Sequence, residues 1–346
     1  MNLKDHHLSR RHDSLLTYSL PPVPTVSFYC ALSPPRGSRC QHVKDIEVYI
    51  PCHYLMYVAN RNVVSESLFT LIDAKYRTLF STAKVLQAWI ADQEERFRES
   101  EEGQYLAITG VNSKALEEID YYRDTGKLSQ QLRFSFEPDA ELLIIKMSGG
   151  KHEIPHNTLV QHITRALDTI GISEDDYAWV GTTRFQGRGP GSSRSKESDQ
   201  AFMPQGRRCT THFPSFVVEV GVSESLALLR KDAAFWLTRS AGECRLVIIV
   251  SVGRFSAYMA YELWVIGPVA GGPTRANPNP PPQIGPVPRQ LQTVIQADGA
   301  FLGPPTLSLP LSVLFDHNTP NINLQQSLLI TNANLHAAYR RVINYS

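Results

Sequence analysis

The stretch from Pro214 to Leu237, PSFVVEVGVSESLALLRKDAAFWL, decides the reading of the whole chain. Its first part, SFVVEV, is a run of β-branched and aromatic residues of the kind that forms a buried strand. Its second part, continuing to Ser240 as SLALLRKDAAFWLTRS, repeats apolar residues at helical steps. Glu219 interrupts the strand, and an ionised carboxylate there is costly unless something pairs with it. What Glu219 meets is therefore the question the rest of the sequence has to answer.

Working outward, ELLIIKM at 141–147 predicts a short apolar strand. HNTLVQHITRALDTIG at 156–171 predicts a helix with Leu159, Ile163, Ala166, Leu167 and Ile170 on one face and Gly171 at its end. YAWVGTTRF (177–185) and DQAFMP (199–204) are strand candidates separated by the Gly/Ser/Arg loop QGRGPGSSRSKES, and RLVIIVSV (245–252) is a buried strand. The order is helix, strand, strand, strand, helix, strand. Asp199 opens one strand and Glu219 lies near the carboxyl end of the next, so on neighbouring strands the two carboxylates converge. Converging carboxylates repel, and the usual resolution is a divalent cation: Mg²⁺ takes hard oxygen ligands, keeps several waters and needs only one or two protein carboxylates. Such an ion acidifies a bound water and neutralises charge growing on a scissile phosphate.

At these residues the chain resembles the PD-(D/E)XK nuclease superfamily, and VVEVGVSES in particular looks like its Uma2-like and fungal branches. The resemblance covers about residues 141–265. It implies an α/β, restriction-endonuclease-like αβββαβ core, with a central mixed sheet flanked by helices, and Mg²⁺- or Mn²⁺-dependent hydrolysis of phosphodiester bonds in nucleic acid, DNA foremost. It further implies that Asp199 and Glu219 hold the metal, that Glu153 on the first helix supports it, and that Gln200 orients a phosphate or water. Two residues after Glu219 the chain has Gly221 where the superfamily motif has lysine. Some branches carry that lysine on the following helix, where Arg230 and Lys231 stand. On a helical wheel Leu226, Leu229, Ala233 and Leu237 form the buried face, Arg230 falls beside it and Lys231 points further out. Arg would act only as an electrostatic clamp, whereas Lys can also activate water. The missing motif lysine motivates the alternative, a degenerate module of the same fold that binds nucleic acid or protein without cutting.

HEIPHNTLVQH also matches H-E-x-x-H, with His162 where a third zinc ligand would fall. A zinc peptidase needs His152 and His156 on one continuous helix. Pro155 is tolerated only in a first turn, so His152 is expected before the helix begins, and His162 falls about 240° round from His156. The loops around Asp199 carry Arg184, Arg188, Arg194, Lys196, Arg207 and Arg208, a local basic collar suited to sequence-independent phosphate contacts. No GxxxxGK[ST] phosphate loop occurs.

The remaining sequence sets the frame. The 346 residues are 42% hydrophobic and 19% charged with a formal net charge of +1, so one or two cores are affordable and no global field steers an anionic partner. Five cysteines, Cys30, Cys40, Cys52, Cys209 and Cys244, are odd in number and lack a CxxC pair, which argues against a disulfide framework or zinc ribbon. With no signal-like apolar segment at the start and no membrane-length run, an intracellular protein, nuclear or cytoplasmic, is expected. Residues 1–60 read as a weakly ordered extension and 61–130 as a helical region, with amphipathic helices over 65–99 and 113–126. Residues 131–346 read as the nuclease-like domain. A Pro/Gly-rich insertion at 266–289 is expected to be disordered and to separate two strands, AYELWVI and LQTVIQADG, that pair across it.

Overall fold

Alternation of side chains along two strands explains most of the architecture of the computed structural model, which describes residues 68–189, 193–222, 226–253, 258–269, 283–296, 298–304 and 306–345. The 1–60 extension, Ser65 and Glu66, and Cys30, Cys40 and Cys52 lie outside these residues. In chain order the strands of the first half are β1 (Arg77–Leu79), β2 (Tyr105–Thr109), β3 (Arg133–Glu137), β4 (Leu142–Lys146), β5 (Tyr177–Trp179), β6 (Arg184–Gln186) and β7 (Ser195–Glu197). Those of the second half are β8 (Gln200–Pro204), β9 (Phe216–Val222), β10 (Leu246–Val252), β11 (Met259–Val269), β12 (Gln283–Ile295), β13 (Phe301–Leu302), β14 (Leu307–Pro310) and β15 (Ser327–Ile330). The long helices are α1 (Ala83–Ser100), α2 (Ser113–Asp124), α3 (Gly150–Thr169), α4 (Leu226–Arg239) and α5 (Asn332–Tyr345).

The fold is α/β with mixed sheets. One sheet has the order β1-β2-β4-β3-β7-β6, a second β13-β12-β11-β10-β9-β8-β5, and β14 pairs with β15. In the second sheet β9 runs parallel to β10 and antiparallel to β8, with Gln200 opposite Val218 and Glu219 opposite Ile249. Because β2 pairs with β4, a boundary at residue 130 would cut through the first sheet, and the region expected to be helical contributes two of its strands.

Successive residues of a strand face opposite sides. On β9, Val218 and Val220 join the cluster that contains Leu159 and Ile163 of α3 and Leu335 and Tyr339 of α5. Val217 instead packs with Val247 of β10 and with Leu229, Ala233 and Trp236 of α4. On β4, Leu143 and Ile145 pack with residues of α1 and α2, while Leu142 and Ile144 share a cluster with Tyr105, Ala107 and Leu228 of α4. Helix α4 is thus enclosed between the two sheets and buried on two sides. That corrects the wheel: Lys231, expected to point further out, is buried, and so is its neighbour Asp232.

Three other expectations change. The strand expected over 177–185 is two strands in different sheets, β5 and β6, with a turn at Gly181 between them. Part of the expected loop before Asp199 is β7, which pairs with β3 and β6. The hairpin of β11 and β12 extends into the Pro/Gly-rich insertion as far as Val269 opposite Gln283. Pro286 and Pro288 are accommodated there because β12 pairs with β13 only at Val294 and Ile295, which leaves an edge on which the missing N–H groups cost nothing. Residues 270–282 lie outside the described ones.

The C-terminal part is fastened through Asp316. Arg207, in the loop after β8, donates to both its oxygens at 2.6 and 2.7 Å, and Arg245 adds a bond at 2.9 Å. The Arg207 hydrogen bonds lead in holding the Asp316 carboxyl at about 2, against burial. A carboxylate depressed on folding stabilises the folded state above its unfolded pKa and loses that contribution as pH falls through the folded value. Discounted for partial exposure, the contribution is about 1–2 kcal/mol. Urea unfolding of Asp316→Asn beside wild type from pH 7 to pH 2 is expected to show a gap that narrows below pH 4 and closes near pH 2.

Candidate active site

Asp199 lies where the chain passes from one sheet to the other: the extended run 195–204 pairs in the first sheet through β7 and in the second through β8. Ser198 anchors the crossing by donating to Gly181 O at 2.7 Å. By alternation Asp199 shares the α4 side of the second sheet with Ala201, as Glu219 does with Val217. The two acids therefore point the same way, and both are buried, at 1% and 0% exposure.

What they meet is Lys146. It ends β4 on the same side as Leu142 and Ile144, and its ammonium, itself 2% exposed, donates to Asp199 Oδ2 and, at 3.0 Å, to Glu219 Oε2. Each carboxylate is fixed by a second donor. Val220 N–H reaches Asp199 Oδ2 at 2.7 Å, and Trp236 Nε1 reaches Glu219 Oε1 at 2.7 Å. Lys196 of β7 stands 3.6 Å from Glu219 Oε1 and 3.0 Å from Asp232 Oδ1. The three acids Asp199, Glu219 and Asp232 of the second sheet and α4 thus face the two ammonium groups of the first sheet. Gln104 ties the same edge together, accepting from Val222 N–H at 2.9 Å and donating to Met147 O at 3.4 Å.

The energetics follow from burial set against pairing. Desolvation works against the Lys146 ammonium, but Asp199 and its neighbours outweigh it and hold the lysine charged, well above the ordinary range. Desolvation likewise opposes ionisation of Asp199, yet the charges of His152 and Lys146 keep it well below the usual carboxylate range. At Glu219 desolvation wins over Lys196 and Lys146, lifting the carboxyl to about 7.

Helix α3 begins earlier than expected. It starts at Gly150, and Pro155 sits inside it. Pro155 forfeits only the one bond to Lys151 O, so His152 and His156 occupy successive turns of the same helix, rings 5.6 Å apart. This removes one objection to the H-E-x-x-H reading, but the side chains serve another arrangement. His152 Nε2 lies 3.1 Å from Asp199 Oδ2, His156 Nε2 lies 3.1 Å from Glu153 Oε2, and His162 faces Asn334 of α5 at 3.1 Å. Burial opposes the charge on Glu153, but hydrogen bonds from His152 and His156 hold its carboxyl well below the usual range. Arg133 is a further neighbour at 3.9 Å. Among the described residues no three His, Cys, Asp or Glu side chains converge as a metal site.

The other expected residues fall as follows. Gln200 faces away from the acids by alternation, its Oε1 buried without a hydrogen bond. Arg230 forks Glu262 of β11 at 2.6 and 3.1 Å, which makes it a partner of that strand. Lys231 is buried in α4. The basic collar is largely neutralised. Arg184 forks Asp120 and bonds Glu197, and Arg188 pairs with Glu243. Arg194 pairs with Glu137 and Arg207 with Asp316, Lys196 is internal, and Arg208 is exposed. A collar read from spacing alone could not show that carboxylates from four other segments would claim it.

The centre offers a cation one candidate oxygen. Asp199 Oδ1 is buried without a hydrogen bond, whereas both oxygens of Glu219 are engaged. An ion such as Mg²⁺, which keeps its waters and needs few protein donors, is compatible with a single open carboxylate oxygen beside a second carboxylate.

Sequence reasoning missed Lys146, Asp232 and Trp236. The signal for Lys146 was present: in ELLIIKM it occupies the same face as Leu142 and Ile144, a charge at a core position just as Glu219 is. No protein-family model matches the chain, and no curated protein is significantly similar to it.

Removing one member of a buried charge cluster leaves the others uncompensated. Lys146→Met, which keeps the volume but leaves Asp199 facing Glu219, is expected to cost about 3–5 kcal/mol. Adding Glu219→Gln to it is expected to recover part of that loss, a coupling measured by urea unfolding of both single variants and the double variant.

Proposed function

We propose that the chain is a nuclease of restriction-endonuclease-like architecture, hydrolysing phosphodiester bonds in nucleic acid with the help of Mg²⁺ or Mn²⁺. The observation that carries this reading is the meeting of Asp199, Glu219 and Lys146 at one point. It supplies two acids and a lysine, the chemical set the family motif requires, although the lysine comes from β4 and not from the position of Gly221. The order α3, β5, β8, β9, α4, β10, with β5, β8, β9 and β10 adjacent in one sheet and β9 parallel to β10, supports the αβββαβ core.

In this reading Asp199, whose Oδ1 is buried without a hydrogen bond, would hold the metal, with the Glu219 carboxylate nearby. A bound ion supplies charge neutralisation at the phosphate and an acidified water. The chain's own groups do the rest. Val220 N–H and Trp236 fix the two carboxylates, so little reorganisation is needed when charge develops. The Lys146 ammonium, held cationic, stabilises negative charge building on the phosphate oxygens. Arg230 is engaged by Glu262 and Gln200 faces away from the acids, so this reading assigns neither a step, and Glu153 acts from the α3 side by holding His152 and His156.

A second reading, a module that binds nucleic acid without cutting, is favoured by a separate observation. The acids are fully buried, and two lysines already balance much of their charge. Plasmid and single-stranded DNA incubated with Mg²⁺ or Mn²⁺ separate the two. Nicking or degradation by wild type that falls at least about a hundredfold in Asp199→Asn and in Glu219→Gln, with unfolding midpoints checked in parallel, is expected for the nuclease. Absence of cleavage in either metal by folded protein leaves the binding module. Stoichiometric zinc lost in His156→Ala would overturn both in favour of the peptidase.

A further inference from the structure

The Tyr105 hydroxyl, Asp199 Oδ1 and Asp232 Oδ2 each make no hydrogen bond to another described group of the protein. Their residues are 6%, 1% and 2% exposed, so bulk solvent does not answer them. A buried polar atom without a partner costs free energy, and each one calls for a ligand, a bound water or a catalytic role to explain it.

The fold brings the three residues to one place. Tyr105 opens β2 directly opposite Lys146 of β4, so phenol and ammonium share a face of the first sheet, with the ammonium 5.8 Å from the ring centre. Lys146 in turn binds Asp199. On α4, Leu228 packs in the same cluster as Tyr105, and Trp236 donates to Glu219 Oε1. Asp232 lies midway between Leu228 and Trp236, about one turn from each, which sets its carboxylate between the phenol and the other acids. Lys196 fixes Asp232 Oδ1 there at 3.0 Å, which leaves Oδ2 open. Burial holds the Tyr105 phenol protonated, well above its ordinary range, so its hydroxyl has a proton to donate. The set therefore offers one donor and two carboxylate acceptors. A water has the matching inventory, since it donates to two oxygens and accepts from a hydroxyl, whereas a cation would leave the phenol proton unanswered. A carboxylate oxygen carries two lone pairs, so Asp199 Oδ1 can accept from this water and still face an ion.

We propose that Tyr105, Asp199 and Asp232 hold one water between them, and that this is the water that attacks the phosphate. Its role rests on the hydrolytic reading above; its place does not. In the step, the water oxygen forms a bond to phosphorus as one ester P–O bond breaks. One water proton passes to Asp232 Oδ2, and the leaving oxygen takes up a proton from solvent. Asp232 is then the base, and Lys196 on its other oxygen keeps the carboxylate turned toward the water. Tyr105 orients: by donating to one lone pair of the water it leaves the other free for phosphorus.

A crystal structure of the full chain grown in EDTA tests the place, and cleavage of plasmid DNA with Mn²⁺ tests the role. Density for a water about 2.5–3.0 Å from Tyr105 Oη, Asp199 Oδ1 and Asp232 Oδ2 is expected in wild type. Tyr105→Phe keeps the ring, and its cleavage is expected to fall about ten- to a hundredfold through kcat, with KM unchanged. Its urea midpoint in EDTA is expected to match wild type, because the hydroxyl makes no bond to a protein group. Asp232→Asn, which accepts a hydrogen bond but not a proton, is expected to lose cleavage at least about a hundredfold. Density in which no water touches all three atoms overturns the site. A lowered midpoint with wild-type cleavage in Tyr105→Phe makes the hydroxyl structural and overturns the role. Cleavage that Asp199→Asn abolishes but Tyr105→Phe and Asp232→Asn leave intact sinks this inference alone. A water at the three atoms of a chain that cleaves nothing in any metal sinks the nuclease reading and leaves the site standing.

Discussion

One ammonium group between two carboxylates constrains the rest of this structure. Lys146, Asp199 and Glu219 are all removed from water, and none of the three is tolerable there without the others. The ammonium comes from the first sheet and both acids from the second, so the cluster also dictates how the two sheets face one another. A shift that moved β4 away from β9 would strand charges of both signs in a low-dielectric interior. Apolar packing alone would tolerate several such relative placements, whereas a charge cluster with directed bonds from Val220 and Trp236 admits very few.

Two features of the chain deliver that arrangement. The extended run from Ser195 to Pro204 belongs to both sheets, which brings Lys196 of one and Asp199 of the other within four residues. Helix α4 then fills the space between the sheets, presenting Leu228 to one, Leu229 and Trp236 to the other, and Asp232 to Lys196. The layers are helices, sheet, single helix, sheet, helices. The enclosed helix explains why the centre is buried and why desolvation pushes the Glu219 carboxyl upward. The two acids differ because Asp199 also receives His152, whereas Glu219 meets the charges of Asp199 and Asp232 as well as its lysines.

The H-E-x-x-H segment shows how one pattern serves a different end. Its two histidines do share a helix face, as a metal site would need, but the segment's own glutamate accepts from His156 and lies against His152. The pattern becomes a chain of polar contacts running from Glu153 through His152 to Asp199. The first turn of α3 therefore joins the buried charge cluster to a cavity lined by Lys151 and His152.

Much of the fold was legible in the residues. β-Branched runs marked β9 and β10, helical spacing marked α3 and α4, and the placement of Asp199 and Glu219 on facing strands followed from their positions in those runs, because local periodicity survives in any tertiary setting. Other features were settled by partners distant in sequence. The cation that answers Glu219 lies 73 residues upstream, Arg230 is claimed by Glu262, and Lys231 is buried because a second sheet covers α4. A periodic pattern records which face of an element is apolar. Which of two faces meets which other element, and which opposite charge reaches a buried carboxylate, depends on long-range packing, and only the tertiary structure decided it.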